Sequence, residues 1–137
     1  MSGVFPHLTV KADQIPKRSE TGIGALLPWA GKLWMVSYVA HLARSGSGTG
    51  LWSVDEHMNI EKHPQSVVGT YANRMMHAAS DQILIGPHVI DHQGNVRTVD
   101  LFGEHRLTAT MEHPDEPETK VLTLTMEGLL FELDLET

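Results

Sequence analysis

The chain has 137 residues, about one ordinary domain, with 41% hydrophobic and 20% charged residues, the balance of a soluble globular protein rather than a disordered one. A net charge of −7, with only 10 Lys and Arg scattered singly, excludes nucleic acid as an expected partner, and no run approaches the roughly 18 apolar residues of a membrane span. The absence of cysteine excludes disulfides, thiolate zinc sites and a cysteine nucleophile, and MSGVFPHLTV lacks the basic and apolar regions of an export signal, so the expected location is cytoplasmic.

In chain order, residues 4–12 read as a short strand with Pro6 near its start, a position tolerated at a sheet edge. A polar connection follows. From Gly24 an apolar run ends at Trp29, Ala30-Gly31 makes a tight turn, and Leu33, Met35 and Ser37 then alternate against Trp34, Val36 and Tyr38, which predicts a hairpin. The Gly/Ser-rich HLARSGSGTG predicts a loop between strands; it lacks the Lys and the following helix of a phosphate cradle. LWSVD, the EHM turn and NIEKH close a first unit of about four strands.

The stretch after His63-Pro64 supports two readings. Ser66 could cap a helix with Val67, Val68, Tyr71, Met75 and Ala78 at helical spacing. Comparison with the other units favours a strand over residues 75–79, because NRMMHAA and QILIGP line up with HRLTATM and VLTLTMEG, whose threonines suit a strand. Near the end, Leu129, Phe131, Leu133 and Leu135 alternate against Leu130, Glu132, Asp134 and Glu136, the clearest strand in the sequence.

A recurring phrase ties these units together. In GLWSVDEHMNI, GPHVIDHQGNV and GLLFELD the opening Gly is followed five, five and six residues later by an Asp, and the aspartates, Asp55, Asp91 and Asp134, lie 36 and then 43 residues apart. A period near 40 residues with about twelve short strands predicts an all-β protein of three four-stranded antiparallel units. This pattern resembles β-propellers and is similar to the N-terminal blades of longer uncharacterised bacterial propeller proteins, a resemblance that implies no particular activity. The Gly-His and Trp-Asp signature of WD repeats and the paired glycines of Kelch repeats are absent. On the propeller reading, residues 1–137 form one domain, with a closing strand and connection (1–20), two blades (21–66 and 67–104) and an incomplete third (105–137); a β-sandwich or barrel is the alternative. Three blades alone would leave two apolar sheet faces and open edges in water. The expected remedy is self-association, a dimer closing a six-bladed ring with residues 4–10 of one chain against residues 129–135 of the other, or completion by the remainder of a longer chain beyond Thr137.

The propeller resemblance implies a ligand mouth built by the loops that enter the innermost strands and those that join second to third strands. These loops bring forward Tyr71, Asn73, Arg74, His88, His105 and Arg106 as ligand-binding candidates. Asn73-Arg74 and His105-Arg106 stand at equivalent positions, where each Arg either faces a carboxylate or phosphate ligand or clamps a neighbouring unit. His88 and His105, with His77 and Glu104 or Glu127, would be the ligands of a divalent metal, the one cofactor the composition suggests. His77 suits a hydrogen-bonded position between units, and His57, His63 and His92 are expected in solvent. Asp55, Asp91 and Asp134 more simply accept hydrogen bonds from turn amides. The expected function is a binding or interaction platform for a small polar ligand or a partner segment; the alternative is a metal-dependent hydrolase or lyase, and the sequence does not decide whether the protein is an enzyme.

Overall fold

In the computed structural model, which describes residues 21–39 and 50–136, the two-residue alternation of the sequence becomes three antiparallel sheets. The first runs β1 (Thr21–Trp29), β2 (Lys32–Val39), β3 (Gly50–Val54) and β4 (Ile60–Lys62), and the second β5 (Arg74–His77), β6 (Gln82–Ile85), β7 (His88–Asp91) and β8 (Val96–Thr98). The third has β9 (Leu107–Glu112), β10 (Lys120–Thr125) and β11 (Leu130–Asp134). Each sheet is a meander in which every strand pairs with the next in the chain. A one-turn helix, α1 (Asp100–Gly103), joins the second sheet to the third and was not legible in the sequence. The strand expected in residues 4–12 and the loop of residues 41–49 lie outside the described residues. Among the described residues, no helix is long and apolar enough to cross a membrane.

The β1–β2 hairpin turns on Ala30 and Gly31, both at positive φ (48° and 72°), the pairing whose twist matches the flanking strands. No helix forms in residues 66–79. The strand there is Arg74–His77, shorter than expected, because the His77 ring accepts the Ser80 amide (3.2 Å) and turns Ala78 and Ala79 out of the ladder.

The central strands of the middle sheet, β6 and β7, are buried on both faces, and their alternation divides the core in two. Ile83, Ile85 and Ile90 face the first sheet, packing with Ala25, Leu27, Trp34, Val36 and Leu51. Leu84 and Val89, one residue out of phase, pack with Val121 and Leu135 of the third sheet and its continuation. Hydrogen bonds cross both seams. The Trp29 indole donates to the Asp91 carbonyl (2.7 Å), and His77 Nε2, which donates because Nδ1 accepts, reaches the Pro117 carbonyl (2.8 Å). The expectation for His77 is thereby met: it is fully buried and links two sheets.

Candidate functional site

Three sheets converge on one residue. Tyr71 is fully buried and forms a parallel bridge to Leu107 at the start of β9, flanked by Ala72 N–H donating to the Leu107 carbonyl (2.9 Å) and Leu107 N–H to that of Thr70 (3.0 Å). From the first sheet, Gly24 of β1 lies so close that a Cβ there would overlap the Tyr71 carbonyl oxygen. Gly86, in the β6–β7 turn at φ +57°, would place a Cβ 3.2 Å from the Tyr71 ring and from Val36. The phenol reaches the Gly103 carbonyl at 3.4 Å. Neighbouring Asn73 is 1% exposed and donates through Nδ2 to the Gly86 carbonyl (2.9 Å) and to Thr110 Oγ1 (3.1 Å) in the third sheet. Tyr71 and Asn73, candidates for a ligand, are thus engaged in joining the sheets.

His88 is likewise internal, at 1% exposure. Its Nδ1 lies 2.9 Å from Thr98 Oγ1, and that hydroxyl donates onward to the Gln65 carbonyl (3.4 Å), which assigns the proton to Nδ1. Burial, with a smaller contribution from nearby His63, pushes the imidazole pKa down to about 3, so it is neutral at physiological pH. His63 departs from expectation: it is half-buried, its ring 5.8 Å from that of Trp34, and desolvation lowers its pKa too. His57 and His92 are exposed as expected.

The remaining candidates lie nearer the surface. His105 is half-buried with its ring 5.1 Å from Phe131, Arg74 is exposed, and Arg106 pairs with Glu127 of the β10–β11 turn. That guanidinium holds the Glu127 carboxyl below its usual pKa. Arg106 therefore clamps its own sheet. Among the described residues, no group of three or more His, Cys, Asp or Glu is placed to hold a metal ion. His88 and His105 have separate immediate surroundings, the Thr98 hydroxyl and the Phe131 ring.

The recurring aspartates do what turn chemistry asks of them. Asp55 Oδ1 accepts the His57 and Asn59 amides (2.9 and 2.8 Å) while Oδ2 accepts Asn59 Nδ2 (2.8 Å). Asp91 repeats the arrangement with the amides of Gln93 and Asn95 (both 2.9 Å) and with Asn95 Nδ2 (2.8 Å). Asp134 accepts the Glu136 amide at 2.8 Å. Hydrogen bonding to the Asn partner holds the Asp55 and Asp91 carboxyls below their usual pKa. Asp91→Ala will lower the melting temperature, whereas Asp91→Asn, which keeps one amide-accepting oxygen, will lower it less; equal losses in thermal scans of the two variants would refute this role.

Among the described residues a cleft of about 460 Å³ opens between two inter-sheet connections. Ser66, Val67 and Val68 form one wall, and Thr98, Asp100, Gly103 and Glu104 the other. Ser66 is set by its hydroxyl, which accepts the Leu51 amide (2.9 Å) where Gly50, at φ +124°, leaves no room for a Cβ. Thr98 is set by His88, and α1 is anchored by buried Phe102. The polar side chains of this lining are hydroxyls and carboxylates, and none is cationic. Of these residues only Glu104 stood in a loop singled out from sequence. The other walls carry no motif, and the only available signal was that they lie in the connections between repeated units. Compared with protein-family models, curated proteins and solved structures, the chain matches none.

Proposed function

We propose that this chain is a propeller-type binding platform whose inter-sheet connections hold a small polar ligand. The propeller reading draws support from the chain-order stacking of three meander sheets and from the meeting of β1, the entry to β5 and the entry to β9 around Tyr71. The observation that carries the binding reading is the cleft lining. Ser66 and Thr98 hydroxyls beside the Asp100 and Glu104 carboxylates, over an apolar Val67–Val68 wall, suit a ligand with a cationic or hydrogen-bond-donating head and a short apolar stem.

Agmatine, acetate and trehalose separate the ligand classes. Titrated into labelled protein and followed by amide chemical shifts, agmatine will perturb residues 66–68 and 98–104, acetate will not, and Asp100→Asn will weaken the agmatine response. Absence of any response at these amides, or a response that Asp100→Asn leaves unchanged, would rule out the cleft as the binding site.

A further inference from the structure

The negative charge of this chain is not spread evenly. Residues 105–137 hold eight Asp or Glu against two Lys or Arg, so six of the seven net negative charges belong to the third sheet and its connections. Both cations are already paired, Arg106 with Glu127 and Lys120 with Glu116 and Glu132. Strand β11, at the edge of that sheet, carries Glu132 and Asp134, with Glu136 just beyond it.

The same strand leaves backbone groups open along the sheet edge. The Thr125 amide donates to the Leu129 carbonyl (2.9 Å) and the Leu135 amide to that of Thr119 (2.9 Å), so the odd-numbered residues of β11 and its flanks face β10. Backbone groups alternate sides along a strand, which turns the N–H and C=O of Leu130, Glu132 and Asp134 away from β10. Among the described residues no strand pairs with them, whereas the first two sheets each carry a fourth strand at this position. Leu133 and Leu135 pack with Val89 of β7, and Arg97 of β8 is the partner of Val89 in the next strand, so a strand added to β11 comes to lie over β8. There Val89, Gln82, Asp91, Asn95 and Arg97 line a hollow of about 240 Å³. The Gln82 side-chain oxygen is buried with no hydrogen-bond partner among the described residues, an acceptor that a donor from an incoming chain would satisfy.

The geometry points to strand addition: the open edge of β11 takes an extended, basic segment of a partner polypeptide as the fourth strand of the third sheet. Main-chain bonds to Leu130, Glu132 and Asp134 supply affinity and ask only for an extended backbone. Side chains choose the partner. One set on the added strand stands beside Leu130, Glu132 and Asp134, where lysine or arginine meets carboxylates, and the alternate set points toward the Gln82 hollow. A second copy of β11 is a poor occupant, because two copies pairing here would bring two rows of carboxylates together. The inference rests on neither the cleft nor the propeller reading.

Titration of labelled protein with a short peptide alternating lysine and valine, and with its glutamate-valine counterpart, tests it. The lysine peptide will shift the amides of residues 130–134 and slow their exchange with solvent, and the glutamate peptide will not. E132Q/D134N will weaken the response about fivefold through the loss of two exposed charge pairs. L130P will also weaken it with every carboxylate kept, because proline removes an edge N–H that β10 does not use. Far-UV circular dichroism matching the parent checks that each variant is folded; should L130P lose that spectrum, the charge variant and the parent's exchange rates carry the test. Absence of protection at residues 130–134, or equal responses to the two peptides, would overturn the inference. A peptide-free dimer in which those amides are already protected would overturn it in favour of a second copy. Agmatine is read at residues 66–68 and 98–104, so failure here leaves the cleft reading standing, and the reverse.

Discussion

Acidification from pH 7 to pH 4.5 will remove roughly 2–3 kcal/mol of folding stability through His88. In the unfolded chain this imidazole takes up a proton near its ordinary pKa of 6.5, whereas in the folded protein burial holds the value down to about 3. Between those values the unfolded state binds more protons, so its contribution to stability is fully present above pH 6.5 and declines steadily as pH falls toward 3. His63, lowered by desolvation, acts in the same direction. Asp55 and Asp91 begin to matter only lower, since their carboxyls are held below the ordinary 3.8. Urea unfolding at several pH values checks this. His88→Gln will be less stable at neutral pH, having lost the ring that fills its site, but its stability will fall much less steeply from pH 6.5 to 4.5. An unchanged slope in that variant would show that His88 does not carry the acid sensitivity.

Gly24→Ala will be among the most damaging single substitutions in the chain, costing about 3 kcal/mol or more. The added Cβ would collide with the backbone carbonyl of Tyr71, which no rotamer change can move aside. Relief requires β1 to back away from the point where the sheets converge, loosening the contact of Ala25 and Leu27 with Ile83 and Ile85. Two other glycines calibrate the effect. At Gly22 a Cβ would sit 3.5 Å from the Tyr38 ring, an ordinary contact, so Gly22→Ala will be nearly neutral. At Gly31 nothing lies within 4 Å, and Gly31→Ala will show only the cost of φ +72°, about 1 kcal/mol. Chemical denaturation of the three variants gives the ranking, and a Gly24→Ala protein within 1 kcal/mol of the parent would mean that β1 is not tightly held against Tyr71.

These two residues show what kind of information a sequence carries. Nothing around Gly24 marks it as different from Gly22, because the atom that forbids a side chain belongs to a residue 47 positions away. His88 read as a loop ligand because it follows Gly86-Pro87, yet it opens a strand with its ring turned inward to Thr98. His63 read as solvated because it falls in an outer hairpin, and only the fold brings Trp34 beside it. The cleft is of the same sort, since its walls come from residues 66–68 and 98–104 and no local pattern announces their meeting.

What the amino-acid order determined by itself was local: the alternation that makes strands of Lys32–Val39 and Lys120–Thr125, the Ala30-Gly31 hairpin, and the Asp-to-Asn turns at residues 55–59 and 91–95. These are legible because period-two burial and bonds spanning four residues or fewer depend only on near neighbours. Tertiary structure alone decided that Tyr71 and Asn73 join sheets, that Arg106 answers Glu127, that His88 is neutral, and that hydroxyls and carboxylates line one cleft. Burial and long-range proximity set those roles, and both are properties of the packed sheets rather than of any stretch within them.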